Sequence, residues 1–224
     1  MTRPLITAGC SMTDIDLPIY KKLGISAWPY IVADELDLTL IDLAIGGSSN
    51  SHIESQALDA AIKYKDSDPI VMVLWTNPRR INFNDCYTVL GNWNDYVEHM
   101  TNCKSHWMFN DSDIAYTTLR FSLRSMWRTM NTIKSFGLDY YHDIGTWEIP
   151  YLVKTQLKDV HASLKEDWYY QNLDFSMRTI EEGWTGYNRI PDDGHPDQEA
   201  HEIMAQRFID KYRSKFNKED FVYE

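Results

Sequence analysis

An α/β fold on a mainly parallel sheet is what this sequence predicts, on three observations. Short apolar runs alternate with segments of helical periodicity. One run, Ile70–Trp75, is continuously apolar, as expected of a strand covered on both faces. No repeat, low-complexity tract or Pro/Gly-rich linker divides the 224 residues, so a single domain over 1–224 is the simplest organisation.

The first strand falls at about Leu5–Ala8. A helix opens at Trp28-Pro29, with proline where its missing N–H does no harm, and runs to about Leu36. A second strand follows at Leu38–Ile45. Ser51-His52-Ile53-Glu54 matches a capping box, and Ile53, Ala57, Ala61 and Tyr64 then recur at helical spacing. Ile70–Trp75 is the third strand. Residues 81–113 are rich in Asn, Asp and aromatics, with little periodicity, and read as an irregular, partly helical insertion near the mouth of any site. A long helix spans about Ile114–Phe136, with Leu119, Leu123, Met126, Met130 and Ile133 on one face and Gly137 as its stop. The fourth strand is Leu138–His142, and helical pieces with a fifth strand are expected between Gly145 and Ile190. The last helix runs from near Pro196 to near Phe216, striped by Met204, Phe208, Tyr212 and Phe216.

Composition narrows the partners. With 33 acidic against 22 basic residues, the net charge is -11, a surface that repels phosphate backbones and argues against nucleic acid. No apolar stretch approaches a membrane span, and the N-terminus lacks the pattern of a secretory signal. Cys10, Cys86 and Cys103 are few and unevenly spaced, which points to reduced thiols and a cytoplasmic setting. The 8 Trp, 14 Tyr and 8 Phe serve the core, or in part a platform for a flat ligand such as a sugar ring.

Two words at opposite ends of the chain carry chemistry. Leu5-Ile6-Thr7-Ala8 leads into Gly9-Cys10-Ser11-Met12-Thr13, which sets a hydroxyl just beyond a strand's carboxyl end, where ligands of open parallel sheets bind. Ser11 is either a helix cap or a nucleophile whose oxyanion meets free backbone N–H groups. Asp192-Asp193-Gly194-His195-Pro196 supplies an imidazole and a carboxylate. Asp192, three residues upstream, is favoured to orient His195; Asp193 is the competing choice and looks too close for a comfortable return. His201 stands six residues after His195, but no further ligands complete a metal set, so packing is its expected role. Cys10 should point away from Ser11 into the apolar layers, as a buried and inert thiol.

These words resemble the blocks of the SGNH (GDSL-type) hydrolase superfamily, over residues 9 to about 201. Gly9-Cys10-Ser11 stands for the Gly-Asp-Ser word, with Cys10 in place of aspartate. Asp42-Leu43-Ala44-Ile45-Gly46-Gly47-Ser48-Ser49 has the shape of the second block, with Gly47 the best match for its oxyanion glycine and Gly46 the fallback. Thr76-Asn77-Pro78 follows the third strand, so Asn77 takes the oxyanion asparagine's place, with Asn50 a nearby rival. Asp192 and His195 match the fourth block. The resemblance implies a three-layer α/β/α sandwich with a flavodoxin-like parallel sheet of about five strands. It also implies acyl-ester chemistry by a Ser11–His195–Asp192 triad, with the oxyanion held by Ser11, Gly47 and Asn77, and no metal or organic cofactor. Arg79 and Arg80 are either a solvated pair or contacts to an anionic or hydroxyl-rich substrate. A small-molecule or carbohydrate ester, such as an O-acetyl sugar, is the expected partner by family analogy. The alternatives are a glycan-binding or structural protein that keeps the fold with little catalysis, and a lipase- or thioesterase-like relative.

Overall fold

Period-two alternation sorts the strand residues onto two faces. The computed structural model describes residues 2–76, 80–83, 86–89, 111–145, 173 and 188–219. Strands β1 (Pro4–Ala8), β2 (Thr39–Asp42), β3 (Ile70–Trp75) and β6 (Asp139–Ile144) form a parallel sheet in the order β2-β1-β3-β6. Ile6, Ala8, Val71, Val73, Trp75 and Tyr140 face helices α3 (Asn50–Tyr64) and α4 (Asp111–Ser135). Leu5, Ile70, Met72, Leu74 and Tyr141 face α2 (Trp28–Glu35) and α5 (Gln198–Glu219). The result is the expected α/β/α sandwich. Every residue of β3 is buried, because both faces of that central strand are covered by helices.

Each helix has a local cause. Pro29 sits in the first turn of α2, where no N–H is missed. Small Ala57, Ala60 and Ala61 let α3 lie close on the sheet. Leu119, Leu123, Met126, Met130 and Ile133 of α4 are buried as one stripe. That helix stops before Gly137, whose φ of 77° suits glycine and whose N–H donates to the Lys134 carbonyl at 2.9 Å. A short helix, α1 (Pro18–Leu23), precedes α2 and ends at Gly24, with φ 66°.

Three expectations change. The N-cap of α3 is Ser49, not Ser51; the Ser49 hydroxyl accepts the His52 N–H at 3.3 Å. Glu54, the acid of the apparent capping box, is buried and accepts Arg128 Nε and Nη2 at 2.8 and 2.7 Å. That bidentate pair joins α3 to α4. The first part of the expected insertion forms an antiparallel ribbon, β4 (Arg80–Phe83) with β5 (Cys86–Val89). Among the described residues the main sheet has four strands. The fifth, expected within Gly145–Ile190, falls largely on residues outside those described, as does the insertion over residues 90–110.

Candidate active site

The sheet order places β1 between β2 and β3, so the chain departs to opposite sides from its carboxyl end, the switch point where such folds bind ligands. Ser11 lies there, buried to 7% exposure. It sits in a tight turn rather than at the start of a long helix: Thr13 and Asp14 N–H both donate to the Cys10 carbonyl, at 2.8 and 3.0 Å. Gly9 makes the turn possible. A β-carbon at Gly9 would stand 2.2 Å from Thr13 Oγ1 and 2.7 Å from Thr13 Cβ, inside their van der Waals envelopes. Thr13 is fully buried and accepts Trp28 Nε1–H at 3.4 Å. Cys10 is a buried free thiol. Among the described residues, the Ser11 N–H has no acceptor.

The segment after β2 packs on this turn. A methyl group at Gly46 would lie 3.8 Å from Ser11 Cβ and 3.7 Å from Asp14 Oδ2. Gly46 N–H donates to Asp14 Oδ2 at 3.2 Å, so it is already engaged. Gly47, at φ 82°, has an N–H with no acceptor among the described residues. Of the two glycines, Gly47 is thus the one with a donor to offer. The Ser48 hydroxyl donates to the Ile45 carbonyl at 2.8 Å and accepts Gln56 Nε2–H at 3.1 Å. With its proton so used, its 3.1 Å contact to His52 Nδ1 requires that nitrogen to be the donor. Gln56 in turn accepts the Gly9 N–H at 3.2 Å. One chain of side chains therefore ties the end of β1 to the glycine segment.

Asp42 ties the same pieces from beneath. Its carboxylate accepts Thr7 Oγ1–H at 2.6 Å, Ile15 N–H at 3.2 Å and Ala44 N–H at 3.3 Å. Burial pushes this carboxyl up to about 6, and those three hydrogen bonds only partly offset it.

Asn50 is committed elsewhere. Its Oδ1 accepts the Thr76 N–H at 2.9 Å; its two amide hydrogens go to the Thr76 carbonyl at 3.0 Å and Ser122 Oγ at 2.9 Å. It clamps the end of β3 and has no hydrogen left for an oxyanion. Asn77, the next residue after the clamped one, lies outside the described residues, as does Arg79. Arg80 begins β4, half-buried, with Nε and Nη1 buried and without a hydrogen-bond partner among the described residues.

His195 sits on a turn tied by Ile190 N–H to the His195 carbonyl at 2.8 Å and by Gly194 N–H to the Ile190 carbonyl at 3.1 Å. Its Nδ1 is hydrogen-bonded by Asp193 Oδ1, which also accepts the His195 N–H at 3.3 Å. The spacing argument favoured Asp192. Instead, Asp192 (φ 63°) and Gly194 (φ 81°) are both left-handed, curling the turn until the nearer acid reaches the ring. Asp192 itself is exposed. The hydrogen bond from His195 holds the Asp193 carboxyl below the usual carboxylate range. With Nδ1–H donating to Asp193, Nε2 is left as the basic nitrogen.

The start of α2 meets α5 on one face of the sheet. His201 is fully buried and accepts the Trp28 N–H on Nδ1 at 3.2 Å. Burial pushes its pKa down to about 3, so it is neutral. Gln198 Oε1 accepts the Ser26 N–H at 2.8 Å, and Trp28 stacks on Phe208 with ring centres 4.5 Å apart. Buried Tyr20 packs edgewise against His195 at 6.1 Å and His201 at 4.7 Å. Sequence reasoning did not find Asp14, Asp42, Gln56 or Tyr20. Asp14 could have been suspected from its place three residues after Ser11; the others leave no local pattern.

A scan of protein families and a search of curated proteins gave no match. Solved structures of similar architecture do exist. One is an acetyl xylan esterase, at 10% identity and TM-score 0.49 over 93% of this chain and 98% of that one. Another is a psychrotrophic esterase from Pseudoalteromonas sp., at 13% identity and TM-score 0.45 over 96% and 99%. A third is an acetylxylan esterase from Geobacillus stearothermophilus, at 16% identity and TM-score 0.41 over 92% of each chain. None of the described helices is long and apolar enough to cross a membrane.

Proposed function

We propose that this chain is a serine hydrolase of the SGNH type that cleaves a short-chain acyl ester. The observation that carries this reading is a serine at the sheet's switch point with two N–H groups, its own and that of Gly47, that have no acceptor among the described residues. Such donors, fixed in place before reaction, stabilise a developing oxyanion at no reorganisation cost. His195, its Nδ1 held by Asp193, presents Nε2 as the base. It takes the Ser11 proton as Oγ attacks the acyl carbon, and later returns it to the departing alcohol. Ser11 and Gly47 N–H groups hold the oxyanion, and the Asn77 amide is the third donor in this scheme. Water then attacks the acyl-enzyme, with His195 again as base, and releases the acid. The chemistry calls for no metal or organic cofactor.

For the substrate we favour an O-acetylated carbohydrate. The Arg80 N–H groups, without a partner among the described residues, suit hydroxyl or carboxylate oxygens, and Arg79 and the aromatic-rich 81–113 segment are its companions in this proposal. Hydrolysis of p-nitrophenyl acetate tests the reaction. Ser11→Ala and His195→Ala are each expected to lower kcat by about 10³-fold or more while the protein remains folded. A fluorophosphonate should label Ser11 in the wild type. Equal turnover by all three proteins, or a label on another residue, would reject the scheme. Glycan binding that survives Ser11→Ala, with no turnover by the wild type, would replace it with a binding function.

A further inference from the structure

We propose that Asp14 is a positioning residue: by accepting the Gly46 N–H it fixes the Gly46–Gly47 segment so that the Gly47 N–H stays open to the oxyanion at Ser11. This inference rests on the hydrolase reading above. Two successive glycines are the most freely rotating pair a backbone can have, and each additional conformer dilutes the one in which a donor is aimed. An oxyanion donor on such a pair therefore needs an anchor. The anchor comes from the nucleophile's own turn. Asp14 follows Ser11 by three residues, and its N–H is bonded to the Cys10 carbonyl at 3.0 Å. Its carboxylate is thereby held in a fixed relation to Ser11. One oxygen, Oδ2, takes the Gly46 N–H at 3.2 Å, and the other, Oδ1, takes the Asp16 N–H at 2.9 Å.

The result is a closed ring: Ser11, the turn, Asp14, Gly46, and back to Ser11, whose Cβ would lie 3.8 Å from a methyl at Gly46. Bond direction matters as much as the closure. The Gly46 N–H is spent on the carboxylate, so the next N–H along is the one left for substrate. Asp42 braces the ring from below by accepting N–H groups from Ile15, beside Asp14, and from Ala44, two residues before Gly46. The arrangement carries a cost, because a negative carboxylate near a developing oxyanion repels it. The opposite signs of these two effects make the proposal easy to break.

Steady-state hydrolysis of p-nitrophenyl acetate, combined with amide hydrogen exchange at Gly46, is the test. In Asp14→Ala, kcat is expected to fall about 10²-fold with KM changed less than about threefold, the signature of a donor displaced in the transition state rather than of lost substrate binding. Gly46 exchange should accelerate at least about tenfold on loss of its acceptor. Asp14→Asn keeps one oxygen acceptor and removes the charge. It is expected to retain most of the wild-type kcat, and it carries the test if the alanine variant does not fold. Wild-type kcat in Asp14→Ala, unchanged Gly46 exchange in that variant, or a kcat about 10²-fold below wild type in Asp14→Asn overturns the proposal and leaves the hydrolase reading standing. A wild type that neither turns over ester nor takes a fluorophosphonate on Ser11 overturns the hydrolase reading, and this inference with it.

Discussion

The two halves of the candidate site are built to different standards. On the Ser11 side, Gly9, Gln56 and Ser48 are linked by side-chain hydrogen bonds, Thr13, Asp42 and Asn50 each bond to a neighbouring segment, and Thr13 and Ser48 are fully buried. On the His195 side, residues 191–194 are exposed, and the turn is held by a few backbone bonds, the adjacent Asp193 and the edge of Tyr20. Donors to an oxyanion must be fixed before charge develops, whereas a base must accept a proton, turn slightly and give it back. In the proposed hydrolase, a firmly held cradle and a lightly held imidazole would answer these two demands.

The contrast can be broken in order of effect. Asn50→Ala should strike the rigid half hardest, since it strips the partners from both polar groups of the buried Thr76 peptide. A loss of about 3 kcal/mol of stability is expected in urea titration. An effect below about 1 kcal/mol would mean that water enters the β3 end freely.

Asp42 gives a pH signature from the same half. Its folded pKa is raised to about 6 by burial, above the ordinary carboxylate value, so its contribution to stability is fully present below that ordinary value and is lost as pH rises through about 6. Between pH 4 and 7 the wild type should therefore lose on the order of 2–3 kcal/mol relative to Asp42→Asn. A parallel pH dependence of the two proteins would place the carboxylate in water.

The smallest changes sharpen the other half. Asp193→Asn should leave thermal stability nearly unchanged and lower kcat by about 10- to 100-fold in the proposed reaction, because an amide can turn its NH2 toward Nδ1 and favour the other tautomer, and it carries no charge to stabilise the imidazolium. Asp192→Asn should change kcat less than about twofold. The reverse ranking would show that the turn rearranges when substrate binds and brings the more distant acid to the ring.

The difference also explains what could be read without coordinates. β1 and β3 were legible because burial on two faces writes itself as apolar runs, and α4 because its stripe repeats every three to four residues. The place of Ser11 just beyond β1 was legible because strand, glycine and serine are neighbours in sequence. The tethers were not: Gly9 and Gln56 are 47 residues apart, and Asn50 and Thr76 are 26 apart, and such bonds impose no period on the chain. Ser51-to-Glu54 shows the opposite failure. The pattern was real, but Glu54 was worth more to Arg128 across the helix interface. Asp192 was preferred over Asp193 on linear distance, and two left-handed backbone angles reversed that order.

His201, received by the backbone of Trp28, gives the site an order along the chain as well as in space. In chain order the Ser11 turn precedes β3 and α4, which complete the hydrogen-bonded surroundings of that turn and of Asn50. In the proposed hydrolase, a chain cut short before His195 would carry Ser11 without the residue proposed as its base.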